Sequence, residues 1–134
     1  MKAVKTSIEG VLIIEPETFS DERGFFMETW NKDIFQKITG ANINFVQDNY
    51  SFSYKNILRG LHYQLDNPQG KLVRVSSGSV LDVALDLRKS STTFGQYTSI
   101  VLSEKNKKQF WIPEGCAHGF LVLSDTASFL YKTT

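Results

Sequence analysis

Hydrophobic and polar residues alternate with a period of two along much of this chain, the signature of half-buried strands. The clearest run is Ser79-Val80-Leu81-Asp82-Val83-Ala84-Leu85-Asp86-Leu87-Arg88. There Leu81, Val83, Leu85 and Leu87 share one face, and Asp82 and Asp86 share the other. Short runs rich in β-branched and aromatic residues predict further strands at 11–14, 24–30, 45–50, 58–64, 71–76, 96–102, 109–112, 118–123 and 128–131, beside the run at 79–87. Turns are expected at Asn67-Pro68-Gln69-Gly70 and at Ser77-Gly78. One segment reads as a helix: Asn31 caps its start, Ile34, Phe35 and Ile38 lie on one face, and Gly40 ends it. Many short strands with a single helix predict an all-β sandwich or jelly roll.

Composition narrows the possibilities. The 134 residues suit one ordinary domain, and 41% hydrophobic with 22% charged residues suits a packed core. Fifteen basic against 14 acidic residues leave a net charge of +1, which argues against a dedicated nucleic-acid binder but leaves room for a small basic pocket. A lone cysteine, Cys116, forbids an internal disulfide and fits a reducing compartment. No apolar run approaches the roughly 20 residues that span a bilayer. The N-terminal residues lack a signal-peptide apolar block, so a cytoplasmic location is expected and no membrane partner.

The densest polar segment is Asn56-Ile57-Leu58-Arg59-Gly60-Leu61-His62-Tyr63-Gln64. Strand alternation places Gly60, His62 and Gln64 on one side and Arg59, Leu61 and Tyr63 on the other. Gly60 is expected to leave space for a ligand beside His62. Upstream, Gln47, Asn49 and Ser51 share a face, and Asp48 turns away from them. Downstream, Lys71 and Arg74 open a β-rich run. A second segment, Trp111-Ile112-Pro113-Glu114-Gly115-Cys116-Ala117-His118-Gly119-Phe120, places a tight turn before a strand beginning at His118. Read alone, a strand histidine or glutamine is more often a satisfied structural group than a catalyst.

The Pro113-x-Gly115-x-x-His118 pattern resembles the second motif of the cupin superfamily. That resemblance implies a cupin-type jelly-roll barrel with one short N-terminal helix and ligands inside the barrel. The first cupin metal motif needs two histidines one residue apart, whereas His62-Tyr63-Gln64 has one. With two histidines in the whole chain, a three-histidine metal site is impossible. A His/His/carboxylate site stays open, but a barrel working without metal is expected.

A narrower resemblance follows from six segments in order: 19–28 with Arg23 and Glu28, 45–49, 58–64, 69–75, 82–88 and 111–120. Together they resemble the dTDP-4-dehydrorhamnose 3,5-epimerase family over essentially all 134 residues. The resemblance implies inversion of C3 and C5, the two carbons flanking the ketone of a dTDP-linked 4-keto-6-deoxyhexose, on the route to dTDP-rhamnose and surface polysaccharides. It implies no cofactor, since no redox step occurs, and no Gly-x-Gly-x-x-Gly fingerprint is present. By the same resemblance His62 is the general base, Lys71 stabilises the enolate and Tyr131 donates a proton on the opposite face. Arg23, Glu28, Gln47, Asn49, Arg59 and His118 match substrate-binding positions, with Arg23 and Arg59 on the diphosphate. Family members place N-terminal strands on a second subunit, so a homodimer is expected and Arg23 and Glu28 are expected to act across its interface. Asp82 and Asp86 are expected to buttress the interior with partners such as Lys71 or Arg59. Arg74, Arg88 and the region 105–108 read as surface or structural charges.

The family pattern continues past Thr134 with a thymine-stacking aromatic and a carboxylate that pairs with the catalytic histidine. Residues 1–134 are therefore expected to be a single cupin-like epimerase domain lacking that C-terminal segment; Asp82 and Asp86 are the candidates if another residue substitutes as the histidine's partner. Two alternatives stay open. One is a catalytically impaired cupin that binds nucleotide sugars. The other is a single-carbon epimerase or ketoisomerase on a related dTDP sugar.

Overall fold

The computed structural model describes all residues from Met1 to Thr134. The elements run β1 (Lys2–Lys5), β2 (Leu12–Glu15), β3 (Thr18–Asp21), β4 (Gly24–Met27), α1 (Lys32–Thr39), β5 (Gln47–Tyr54), β6 (Leu58–His62), β7 (Lys71–Ser77), β8 (Ser79–Asp86), β9 (Tyr97–Ser103), β10 (Gln109–Ile112), β11 (Cys116–Val122) and β12 (Thr126–Thr133). Six strands form one sheet in the order β1-β2-β10-β7-β12-β5, and four form a second in the order β6-β11-β8-β9. The β3–β4 hairpin stands apart as a two-stranded ribbon. Every pairing is antiparallel. The two large sheets close over a core that includes Val73, Val75, Val80, Ala84, Phe110, Phe120 and Phe129, the jelly-roll arrangement that the strand count predicts.

The helix forms where its caps are written. Asn31 Oδ1 accepts the Ile34 N–H at 3.1 Å, and Gly40 closes the helix in the left-handed conformation, φ 72°. Its one fully buried residue, Phe35, wedges among Trp30, Phe45 and Trp111. These aromatics cover Ile14 and Leu72 on the back of the six-stranded sheet in a second, smaller core. Burying Phe35 alone contributes roughly 1.5–3 kcal/mol. The helix thus shields the sheet that carries β7, and it contributes no chemistry.

Strand β8 alternates as its sequence predicts. The buried face is Val80, Asp82, Ala84 and Asp86, while Leu81, Val83 and Leu85 on the outer face are only half covered. The two aspartates therefore do face the interior. Strands β1 and β3 are absent from the sequence-based expectation: Lys2–Lys5 and Thr18–Asp21 are mostly exposed and carry no apolar alternation, so pairing alone makes them strands. The run expected at 24–30 stops at Met27, because Trp30 turns away to pack on Phe35 before the helix cap. Strand β11 starts at Cys116 rather than His118, since Cys116 already pairs with Asp86.

Asp86 shows how one buried charge is held. Arg88 donates Nε–H and Nη2–H to it at 2.9 Å each, and Thr93 Oγ1 donates at 2.7 Å, with the Ser91 hydroxyl adding a further bond. Arg88 also reaches the Glu9 carbonyl at 2.7 Å, tying the strand end to the loop before β2. The Arg88 guanidinium holds the Asp86 carboxyl well below the usual carboxylate range, against a desolvation cost that the hydroxyls help to offset. Arg88 is thus a structural charge, as expected. Asp86→Asn is expected to cost about 2–3 kcal/mol at neutral pH, read by urea unfolding. A folded-state pKa depressed below the unfolded value contributes stability above about pH 4 that is lost as pH falls further. The gap between wild type and variant should therefore begin to narrow below about pH 4 and go on narrowing as pH falls further; a gap that stays constant or widens across that range contradicts this account.

Candidate active site

The inner faces of both sheets supply one polar cleft. Rows of paired residues across β5, β12 and β7 run Gln47–Thr133–Lys71, Asn49–Tyr131–Val73 and Ser51–Phe129–Val75. Paired residues share a sheet face, so these side chains all point inward. Strand β5 is inverted relative to an ordinary half-buried strand. Gln47, Asn49, Ser51 and Ser53 face in, while Tyr50, Phe52 and Tyr54 stand 63%, 46% and 67% exposed on its outer face. Asp48 turns outward to pair with Lys132 at 2.8 Å, as alternation predicts.

The opposite wall comes from β6 and β11. His62 and His118 are cross-strand partners, and so are Arg59 and Phe120. Arg59 and His62 are three positions apart, but their partners Phe120 and His118 are two apart, so β6 carries one extra residue there. That bulge overturns the simple alternation. Arg59 and His62 do not lie on opposite sides; both line the same cleft, together with Lys71, Tyr131 and Ser51. The bulge falls at Gly60, where φ is +105° and a Cβ would lie 2.6 Å from the His118 carbonyl oxygen and 2.8 Å from the Gly119 Cα. The space beside His62 is thus filled by the neighbouring backbone rather than left for a ligand, correcting the expected role of Gly60.

The cleft has a volume of about 110 Å³. A larger groove of about 620 Å³ lies elsewhere, between the β1–β2 region and Trp111; its titratable side chains are Lys5, Glu9 and Glu114, with no imidazole or phenol among them. The smaller cleft is the one in which an imidazole, an ammonium and a phenol meet. Arg59 is anchored at its rim by Nε–H donated to Ser53 Oγ at 2.8 Å. Phe129 forms a floor, stacked on Phe120 with ring centroids 4.1 Å apart. No group of three or more His, Cys, Asp and Glu side chains converges as metal ligation requires. Cys116 is buried, and burial pushes its thiol up to about 11, which removes it as a nucleophile.

Asp82 does not act as the partner of His62. It is fully buried and lies 3.0 and 3.1 Å through its two oxygens from His118 Nε2. While Asp82 is ionised it accepts only, and in that state Nε2 is the donor; the contact holds the ring in one orientation. Asp86 is committed to Arg88. Neither aspartate substitutes for a carboxylate behind His62, and neither is hydrogen-bonded to Lys71 or Arg59 as the sequence suggested. Burial raises the Asp82 pKa, while His118 and Lys71 pull it back down. Burial likewise lowers the Lys71 pKa, and the nearby Asp82 charge opposes that shift. The Asp82–His118 pairing joins residues 36 apart and needs β8 beside β11, so nothing local in the sequence marks it.

Arg23 and Glu28 are not in the cleft of their own chain. Arg23 sits on the β3–β4 hairpin, paired with Asp21 and with its side chain 85% exposed. Glu28 accepts from Asn31 Nδ2 at 3.2 Å beside the helix cap.

A family model described as dTDP-4-dehydrorhamnose 3,5-epimerase matches residues 5–134. The chain belongs to the dTDP-4-dehydrorhamnose 3,5-epimerase family. It is 59% identical over 134 residues to the enzyme of that name from Shigella flexneri, covering 99% of this chain and 74% of the relative. A solved dTDP-6-deoxy-D-glucose-3,5-epimerase from Legionella pneumophila, in complex with dTDP-4-keto-L-rhamnose, superposes with a TM-score of 0.97 at 52% identity, covering 99% of this chain and 71% of that one. A 3′-monoepimerase from Streptomyces bikiniensis, solved with dTDP-quinovose, superposes at 0.89 with 30% identity, covering 99% and 67%.

The electrostatic reading of this epimerase-family cleft is testable without substrate. In Asp82→Asn the opposing charge is gone while burial remains, so the Lys71 ammonium should lose its proton at a lower pH than in wild type. Lysine-selective NMR titration of wild type and variant measures this; an unchanged or raised Lys71 midpoint contradicts the coupling.

Proposed function

We propose that this chain is an isomerase that inverts C3 and C5 of dTDP-4-dehydro-6-deoxy-D-glucose to give dTDP-4-dehydro-L-rhamnose. The observation that carries the reading is the convergence of His62, Lys71 and Tyr131 on one cleft. The chemistry follows from what a ketone requires. A hydrogen next to a carbonyl is acidic only because the resulting anion spreads onto oxygen. His62 takes that proton, imidazole being the side chain suited to general-base work near neutral pH. Lys71 holds the enolate oxygen, and a fixed ammonium in a half-buried site does this far better than water does. Tyr131, on the facing sheet, returns a proton to the opposite face of the carbon, and that is inversion. Arg59 takes the diphosphate with its guanidinium fork. Gln47, Asn49 and His118 hold the sugar, with His118 kept in register by Asp82. No step needs a cofactor.

The rival reading is inversion at one carbon, favoured by the shared fold of the monoepimerase from Streptomyces bikiniensis. Deuterium wash-in separates the two. Turnover in D2O should place label at both C3 and C5, and His62→Ala should reduce exchange at both by at least about a thousandfold while the fold is kept. Label at one carbon selects the rival, and full turnover in the variant removes His62 from the mechanism.

We further infer a homodimer in which the β3–β4 hairpin reaches the partner's cleft. Phe19, Phe25 and Phe26 stand 57%, 58% and 69% exposed on that hairpin, an apolar ribbon that water does not favour. In this arrangement Arg23 and Glu28 complete a site on the second subunit. We take residues 1–134 as a single cupin-like domain and place it in the cytoplasm, where a free cysteine stays reduced. Complementation tests the shared site. Mixed dimers of Arg23→Ala and His62→Ala chains contain one intact site, so mixing the two weak variants should recover up to about half the wild-type activity per mixed dimer. Activity that stays at the sum of the separate variants places Arg23 in its own chain's site or outside the site.

A further inference from the structure

Two buried side-chain polar atoms in this molecule have no hydrogen-bond partner, Asn49 Nδ2 and Thr133 Oγ1. Buried polar atoms are nearly always paired, so two orphans side by side ask for a cause. Asn49 pairs with Tyr131, and Thr133 pairs with Gln47 on one side and Lys71 on the other. The orphans are thus diagonal neighbours on the inner sheet face, with Lys71 and Tyr131 beside them. The amide of Asn49 is held in a definite sense, because its Oδ1 accepts from Gln47 Nε2 at 2.8 Å. That leaves the amino group free to donate.

Packing gives no reason for a hydroxyl at Thr133. The residue is 1% exposed, and valine has its shape and its preference for strands. The backbone needs nothing from the side chain either, since the Thr133 carbonyl already accepts from the Val46 N–H at 2.9 Å. A group satisfying both orphans must accept from a donor-only amino group and also meet a hydroxyl, which describes an oxygen. Gln47 and Lys71 are the long side chains that flank Thr133 in its row.

We propose that Thr133 is a substrate-contacting residue whose hydroxyl, with the Asn49 amide, binds an oxygen of the sugar ring rather than the nucleotide. This rests on the reading of the cleft as a nucleotide-sugar epimerase site. It deepens that reading by adding a specificity contact beside the enolate-stabilising lysine. The contact would help choose which sugar oxygen faces Lys71 and so which carbons lie within reach of His62.

The test compares Thr133→Val and Thr133→Ser with wild type, using the 4-keto sugar nucleotide as substrate and dTDP alone as a probe lacking the sugar. Thr133→Val should lower kcat/KM about tenfold, the loss of one hydrogen bond, with affinity for dTDP unchanged and the thermal midpoint unchanged or raised. Thr133→Ser should recover most of that loss. Unchanged kcat/KM in Thr133→Val means that the orphan meets a water only, and it overturns the proposal. Equal losses for substrate and for dTDP overturn it too, since they place Thr133 on the nucleotide. If wild type binds the sugar nucleotide but turns none over, the epimerase reading fails; the same comparison made on binding constants then still decides the role of Thr133.

Discussion

The cleft exists because two strands touch backbone to backbone. A Cβ at Gly119 would lie 2.6 Å from the Arg59 carbonyl oxygen, and one at Gly60 would meet the β11 backbone as closely. No side chain fits between them, so β6 and β11 cross there without one, and β6 absorbs an extra residue. The bulge shifts the phase of the strand by one position. Arg59 and His62, three apart, both turn inward as a result. A strand without the bulge would send one of them into solvent. The guanidinium and the imidazole of the site therefore depend on a contact between two glycines that do no chemistry.

The second requirement is to keep charge inside a β-walled core. Asp82 and Asp86 are both fully buried and lie on one face of one strand, yet they are solved differently. Asp86 is saturated by Arg88 and two hydroxyls and is inert. Asp82 has one hydrogen-bonding partner, His118, and its remaining charge acts across the cleft on Lys71. Such an arrangement costs stability, because each buried ion loses its hydration. It leaves an ammonium whose charge is balanced against burial, next to the place where a ketone oxygen would gain negative charge. The same interior holds two polar atoms with no partner. Both atoms lie on the inner sheet face, in the rows that also carry Lys71 and Tyr131.

Much of this architecture was legible in the chain. The helix and both its caps could be read from Asn31 and Gly40, because capping is a local interaction. The alternation of β8 and the polar face of β5 were legible for the same reason. The convergence of His62, Lys71 and Tyr131 came from motif resemblance, since the three reside on β6, β7 and β12. What was not legible depended on neighbours. A period of two assumes an unbroken register, so it placed Arg59 and His62 apart. Gly60 reads as open space until the partner strand is known. The partner of Asp82 could not be found without the order of strands in the sheet. Strands β1 and β3 have no pattern of their own and exist through pairing.

The most direct measurement of the central claim is a crystal structure of this chain with its 4-keto sugar nucleotide, or a stable 4-deoxy-4-fluoro analogue, bound. The account predicts the His62 imidazole and the Tyr131 hydroxyl on opposite faces of the sugar ring, with Lys71 Nζ at hydrogen-bond distance from the substituent at C4. A sugar seated with Lys71 turned away from C4, or with His62 and Tyr131 on the same face, would contradict it.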